Sequence, residues 1–103
     1  MLILPIKKKW YDMILSGEKK EEYREWKPYY TSRIKNICFR NGFDGVIGQE
    51  CLVKFINGYS RTSPHFYAKV RIQKGEGKPE WGAEPGKIYW ILEILDVGGE
   101  HNV

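Results

Sequence analysis

Lys19, Glu22 and Arg24 are the residues of this sequence whose types and spacing could do chemistry. They belong to the stretch Gly-Glu-Lys-Lys-Glu-Glu-Tyr-Arg over residues 17–24. A lysine beside a glutamate–arginine pair can bind an anion or can work as an acid–base pair. The same charges can also form a solvated ladder of ion pairs at a strand edge, which adds little stability. Their spacing alone leaves both interpretations open.

Two elements must position these charges. Trp10, Met13 and Ile14 recur at helical spacing, which predicts a helix over residues 7–16 that ends in a left-handed turn at Gly17. The sequence then predicts a strand over residues 19–26. Because side chains alternate along a strand, Glu22 and Arg24 share one face of it.

The other elements are short. The sequence predicts strands over residues 1–6, 50–56, 65–73 and 88–95, and a further short strand is possible at 46–48. A second helix is predicted with Thr31 or Ser32 as its N-cap and with Ile34 and Ile37 or Cys38 on its inner side. Turns are predicted at Asn41-Gly42, Asp44-Gly45 and Asn57-Gly58.

Residues 74–87 form a loop rich in glycine and proline, and residues 98–103 are predicted to be a loose tail. Trp81 in that loop is either a plug on the barrel end or a stacking platform. Together these elements predict an α+β, mainly β fold over residues 1–97. It would be a small mixed barrel of five to six strands with two short helices.

Composition favours an anionic partner and a soluble, reduced protein. The formal net charge is +4, and aromatic residues make up 15% of the chain, more than a core requires. Cys38 and Cys51 are expected to be buried, reduced thiols in the cytoplasm, and with His65 and His101 they suggest no metal site. We expect no cofactor, because Gly75 and Gly77 lack the rest of a dinucleotide fingerprint, and no membrane span.

Lys7, Lys8 and Lys9 crowd the start of the first predicted helix. Cations are unfavourable at that end of the helix dipole, so helix stability does not explain their position. They could gather phosphate, or they could form a solvated basic turn.

The signature over residues 17–24, with its preceding helix, resembles the GxKxxExR motif of the ASCH domain (activating signal cointegrator homology). Further similarity covers the segments Tyr29-Tyr30-x-x-Arg33, Asn57-Gly58-Tyr59 and Gly77-Lys78-Pro79-Glu80-Trp81-Gly82. These segments resemble the short bacterial and phage-type members. The resemblance implies a PUA-like barrel with a cleft that binds RNA, a nucleotide or a nucleobase.

That resemblance implies which residues line the cleft. Lys19, Glu22 and Arg24 are the signature residues, and cations can hold phosphate while a carboxylate accepts a base amino group. The candidate stacking aromatics are Tyr23, Trp26, Tyr29 and Tyr59, with Arg33 and Lys8 as further anion contacts.

Some ASCH members are amidohydrolases acting on N4-acetylcytidine through a lysine and a threonine of the signature and a distant glutamate. Here Lys19 matches the lysine, but Glu22 stands at the threonine position. Glu22 could instead act as a general base on water while Lys19 polarises the carbonyl. The distant glutamate could be Glu76, Glu80 or Glu84, and ribonuclease activity is a further alternative within the family.

Overall fold

The computed structural model describes residues 1–38 and 45–101. The turn predicted at Asn41-Gly42, the Asp44 half of the next turn and the side chains of Ile37 and Cys38 lie outside this description. In chain order the described elements are β1 (Leu2–Ile6), α1 (Lys8–Leu15), β2 (Glu21–Glu25), α2 (Pro28–Cys38), β3 (Glu50–Asn57), β4 (His65–Glu76), a 3-10 turn (Pro79–Trp81) and β5 (Ile88–Val97).

The five described strands form one sheet in the order β1-β3-β4-β5-β2. β1 runs parallel to β3, and the other neighbours are antiparallel. The sheet is a half-barrel that carries two helices, which confirms the mainly β fold class. The possible strand at residues 46–48 does not form, because Gly48 adopts a φ of 89° in a turn.

The core lies on one face of this sheet. Phe66, Ala68, Val70 and Ile72 of β4 are all buried, as their alternation predicts. Tyr11 of α1 packs on the Phe66 ring, with 4.9 Å between the ring centroids.

The turn after α1 fixes the position of the signature lysine. Gly17 has a φ of 87°, which confirms the predicted left-handed turn. The backbone N–H of Lys19 donates to the carbonyl of Met13 at 2.9 Å, so Lys19 is tied to the last turn of the helix. Lys7, at the start of α1, makes no side-chain cap.

α2 begins earlier than the sequence suggested. It starts at Pro28, so neither Thr31 nor Ser32 is its N-cap. Proline suits the first turn of a helix, because the backbone N–H that it lacks has no helical partner there. Thr31 is inside the helix, and its hydroxyl accepts a hydrogen bond of 2.9 Å from the Trp90 indole.

The predicted 74–87 loop is shorter than expected at its start. Lys74, Gly75 and Glu76 continue β4 by pairing with β5, which itself extends to Val97. In the described part of the tail, His101 forms an isolated antiparallel bridge with His65 of β4, through backbone hydrogen bonds of 3.0 and 2.7 Å. Cys51 is only partly buried.

Candidate functional site

Lys19 is the most deeply buried charged side chain described, with 1% of its surface exposed. Its ammonium donates to Glu22 Oε1 at 2.8 Å and to the main-chain carbonyl of Trp81 at 2.8 Å. The ammonium also lies 4.2 Å from the centroid of the Trp10 ring, a cation–π distance. A carboxylate, a carbonyl and an aromatic face therefore replace the water that burial removes.

Glu22 is shared between two cations. Its second oxygen, Oε2, accepts a hydrogen bond from Arg24 Nη2 at 2.7 Å, and its side chain is 7% exposed. The same Arg24 nitrogen lies 3.3 Å from the carbonyl oxygen of Pro5 in β1. Arg24 Nε is buried and has no hydrogen-bond partner among the described residues. The three signature residues are thus brought together as predicted, in a Lys19–Glu22–Arg24 chain.

The electrostatics of this chain follow from its burial. Loss of water lowers the pKa of the Lys19 ammonium, and the attraction of the Glu22 carboxylate opposes part of that shift. Arg24 lowers the Lys19 pKa slightly further, because it is a like charge. One carboxylate balances two cations, so the Lys19–Glu22–Arg24 group retains a positive charge.

A pocket of about 340 Å³ opens beside this chain. Its size lies at the lower end of the range for small-molecule sites, roughly 300–1,000 Å³. Elements β1, α1 and β2 contribute, together with the loop after β3, and the lining residues are Pro5, Ile6, Lys7, Trp10, Glu22, Arg24 and Tyr59. Lys19 lies behind Glu22 and does not itself line the pocket.

Trp10 and Lys7 are pocket residues that the sequence analysis assigned only to the first helix and its basic start. Gly82 packs against Trp10, since a Cβ on Gly82 would lie 3.1 Å from the indole. Gly82 also has a φ of 104°, so the conformation and the contact both favour glycine. The signal available in the sequence was the position of Trp10 directly after three lysines.

Tyr59 lies at the pocket mouth and is 93% exposed, as a stacking residue would be. Tyr23 is placed differently, because it faces the other side of β2 from Glu22 and Arg24. Its hydroxyl donates to Glu21 at 2.7 Å and accepts from the Lys78 N–H at 2.9 Å. Burial raises the Tyr23 pKa. Tyr23 therefore anchors the glycine-rich loop and does not line the pocket.

The remaining predicted contacts lie away from the pocket. Lys8 is exposed and pairs with Asp12 at 2.6 Å. Trp26, Tyr29 and Arg33 are on the surface around the end of β2 and the start of α2, and in the described part of the chain they are not among the pocket-lining residues.

The 3-10 turn presents Trp81 in a half-buried position. The Lys78 ammonium lies 4.6 Å from the centroid of the Trp81 ring, while the main-chain carbonyl of Trp81 accepts the hydrogen bond from Lys19. The three glutamates considered as distant partners are all exposed, and none of them lines the pocket within the described residues: Glu76, Glu80 and Glu84.

Across residues 1–38 and 45–101, no group of three or more His, Cys, Asp or Glu side chains is placed to hold a metal ion. In the same residues no helix has both the length and the apolar character needed to cross a membrane. Comparisons with protein-family models, with curated proteins and with solved structures found no match to this chain.

Proposed function

We propose that this chain is an ASCH-type module that binds RNA or a nucleotide, with one nucleobase or nucleoside held in the pocket beside Glu22. The observation that carries the proposal is the Glu22 carboxylate, held between Lys19 and Arg24 at the wall of a pocket of about 340 Å³. A buried carboxylate held by two cations keeps a fixed orientation, because neither oxygen can turn without losing a partner.

The chemistry of the lining suits a nucleobase. Tyr59 offers an exposed aromatic ring for stacking, and Trp10 adds an aromatic side chain to the pocket wall. Stacking tolerates any base because each base has a π face. The Glu22 carboxylate can accept an amino or imino N–H from a base edge, and Arg24 can donate to a base carbonyl. Such a site would favour bases that carry both a donor and an acceptor on one edge.

The charge of the lining suits a phosphate. Lys7 and Arg24 line the pocket and Lys19 stands behind it, while Glu22 is the one carboxylate that the described residues contribute to its wall. Lys7 is exposed at the start of α1, so its flexible side chain can contact a phosphate at the pocket mouth while the ammonium stays hydrated. We therefore expect nucleotides to bind more tightly than nucleosides.

Titration calorimetry with the four ribonucleoside 5′-monophosphates and the matching nucleosides tests this function. We expect at least one monophosphate to bind, with an affinity that falls between about 50 and 200 mM salt. Lys7→Gln should weaken that binding, while Lys69→Gln, which removes one exposed charge from another surface, should not. If no monophosphate or nucleoside binds, the pocket does not hold a nucleotide, and the proposal is wrong.

A second candidate function is hydrolysis of an acetylated cytidine. One observation favours it: Lys19 and Glu22 are in direct contact at 2.8 Å, as a coupled acid–base pair requires, and Glu22 reaches the pocket. In that reaction Glu22 would take a proton from water, and the water oxygen would attack the acetyl carbonyl. The C–N amide bond would break, and the amine would take up the proton held by Glu22. The acetyl group would leave as acetic acid, which ionises to acetate and releases its proton to solvent.

Incubation with N4-acetylcytidine, followed by chromatography for cytidine, tests the second candidate. Cytidine from the wild type but not from Glu22→Gln would support it, with circular dichroism showing that the variant is folded. Equal amounts of cytidine from both proteins would exclude Glu22 as the base. Absence of cytidine from the wild type would exclude this reaction.

A further inference from the structure

A second surface on this chain combines aromatic faces with cations outside the pocket. We name it the aromatic–cationic strip and define it as Trp26, Tyr29, Arg33 and Lys74. The Lys74 ammonium lies 4.3 Å from the Trp26 ring centroid, and the Arg33 guanidinium lies 4.5 Å from that of Tyr29. Trp26 is 43% exposed and Tyr29 is 56% exposed, so part of each side chain is accessible to solvent beside its cation.

The strip is built on rigid parts of the fold. Trp26 stacks on the buried Trp90 ring, with 4.2 Å between centroids and 27° between planes. Trp90 is held in turn by its hydrogen bond to Thr31 of α2. Tyr29 meets the Tyr30 ring edge-on at 4.9 Å. Rings fixed in this way lose little conformational entropy when a base stacks on them.

The sheet register connects the strip to the pocket. Lys74 in β4 lies opposite Trp90 in β5, and Trp90 lies opposite Arg24 in β2. Opposed residues of neighbouring strands share a face, so the Cα positions of Lys74 and Arg24 are two strand spacings apart, about 10 Å, and their side chains start on the same side of the sheet. Arg24 also lies 5.7 Å from the Tyr30 ring, next to Tyr29. Arg24 is therefore common to the pocket wall and to the edge of the strip.

The charges of the strip are available to a ligand. Among the described residues neither Arg33 nor Lys74 forms an ion pair with a carboxylate, whereas nearby Lys27 pairs with Glu25 at 3.6 Å. Cations beside partly exposed aromatic rings suit a single-stranded nucleic acid, which presents phosphates and bases together.

We infer that the strip binds the nucleotides that flank the one held in the pocket, so that the ligand is a single-stranded oligonucleotide. This inference rests on the proposed function, because the pocket supplies the first nucleotide. It goes beyond that function by giving the ligand a length and a path, from Tyr59 past Arg24 to Trp26 and Tyr29.

The test compares two ligands on one set of variants. Fluorescence anisotropy measures the binding of a labelled RNA decamer without self-complementarity. Calorimetry measures the binding of the ribonucleoside monophosphates. We expect the decamer to bind at least about tenfold more tightly than any monophosphate. Tyr29→Ala and Trp26→Ala should each lower the affinity for the decamer about tenfold and leave monophosphate binding unchanged. Trp26→Phe, which keeps an aromatic face and the contact with Trp90, should retain most of the wild-type affinity for the decamer.

The charges are tested by salt dependence. Arg33→Gln combined with Lys74→Gln should reduce the slope of log affinity against log salt by about 1.4, because each phosphate contact on a single strand contributes roughly 0.7. Lys69→Gln lies on the opposite face of β4 from Lys74 and should not change the slope. The same decamer made as DNA shows which sugar the strip accepts, and binding of either polymer that responds to these variants supports the inference.

Monophosphate binding and decamer binding can fail independently of each other. Monophosphate binding with a decamer that binds no tighter, and that ignores the strip variants, would overturn the strip and leave the pocket. Decamer binding that depends on the strip without any monophosphate binding would overturn the pocket and the path that runs through it, and would leave the strip as a nucleic-acid contact on its own. If neither ligand binds, both proposals are wrong.

Discussion

The ammonium of Lys19 lies 2.8 Å from the main-chain carbonyl oxygen of Trp81, although 62 residues separate the two along the chain. This bond joins the signature to the glycine-rich loop before β5. Gly82, directly after Trp81, packs on Trp10 of α1. The signature lysine thus acts from behind the pocket wall, where it holds Glu22 and positions the loop.

Lys19→Met should lower the free energy of unfolding by about 3 kcal/mol, because it leaves the buried Glu22 carboxylate with one cation in place of two. Urea denaturation followed by circular dichroism measures the change. Lys8→Met removes a lysine from an exposed ion pair with Asp12 and is the matched control, for which we expect no measurable loss. Equal stabilities for the two variants would show that the buried contacts of Lys19 add nothing.

The stability contributed by Lys19 should depend on pH in the alkaline range. Its pKa in the folded state is below the ordinary value of 10.5, because burial disfavours the charged form. Between the two pKa values the unfolded chain binds a proton that the folded protein has released, so a rise in pH favours folding. The wild type should therefore gain stability relative to Lys19→Met as the pH approaches 10.5. Urea midpoints for both proteins over this range test the sign, and a constant difference would contradict it.

Tyr11 should have the opposite effect at high pH. Burial, together with its 2.8 Å hydrogen bond to Glu100, raises its pKa above the ordinary value of 10.0. Above pH 10.0 the unfolded chain loses the phenolic proton first, so the stability that this tyrosine contributes is lost as the pH rises. Tyr11→Phe should show a weaker alkaline loss than the wild type. Tyr59→Phe, at an exposed position, should follow the wild-type curve.

Gly77→Ala should destabilise the protein by about 1–3 kcal/mol through overpacking. A Cβ at this position would lie 2.6 Å from the Tyr23 ring and 2.7 Å from the Ala83 side chain. Gly99→Ala is the matched control, since a Cβ there meets no atom within 4 Å. Thermal unfolding of both variants compares them, and equal midpoints would mean that the loop shifts at no cost.

Tyr59→Ala should separate ligand binding from stability. The side chain is exposed and lies at the pocket mouth, so its removal should leave the melting temperature unchanged. Loss of one stacking face should weaken binding of the preferred nucleotide about tenfold. Calorimetry and thermal unfolding on the same sample measure both quantities. An unchanged affinity would remove Tyr59 from the site.

Local patterns predicted much of the fold. The alternation of β4 identified its buried face, and Gly17 marked the end of α1, because both depend on neighbours in sequence. The predicted start of α2 was wrong, since the N-cap was placed at Thr31 or Ser32 although Pro28 is suited to the first helical turn. The extension of β4 to Glu76 depends on pairing with β5, and the sequence of residues 74–76 does not reveal that partner.

The site was predictable only where it depends on neighbours in sequence. Alternation placed Glu22 and Arg24 on one face, and it also implies that Tyr23, between them, faces the other side. The burial of Lys19 could not be predicted, because the carbonyl that satisfies it comes from Trp81. The role of Trp10 depends likewise on its contact with Gly82 across the fold.

The strand order has a consequence for when the pocket can form during synthesis. β1 pairs with β3, and β2 pairs with β5, so two walls of the pocket depend on partners far downstream in sequence. Closing such long loops costs entropy that only the finished sheet repays. A nascent chain therefore has no pocket until β5 has left the ribosome, and ligand binding is a property of the completed fold.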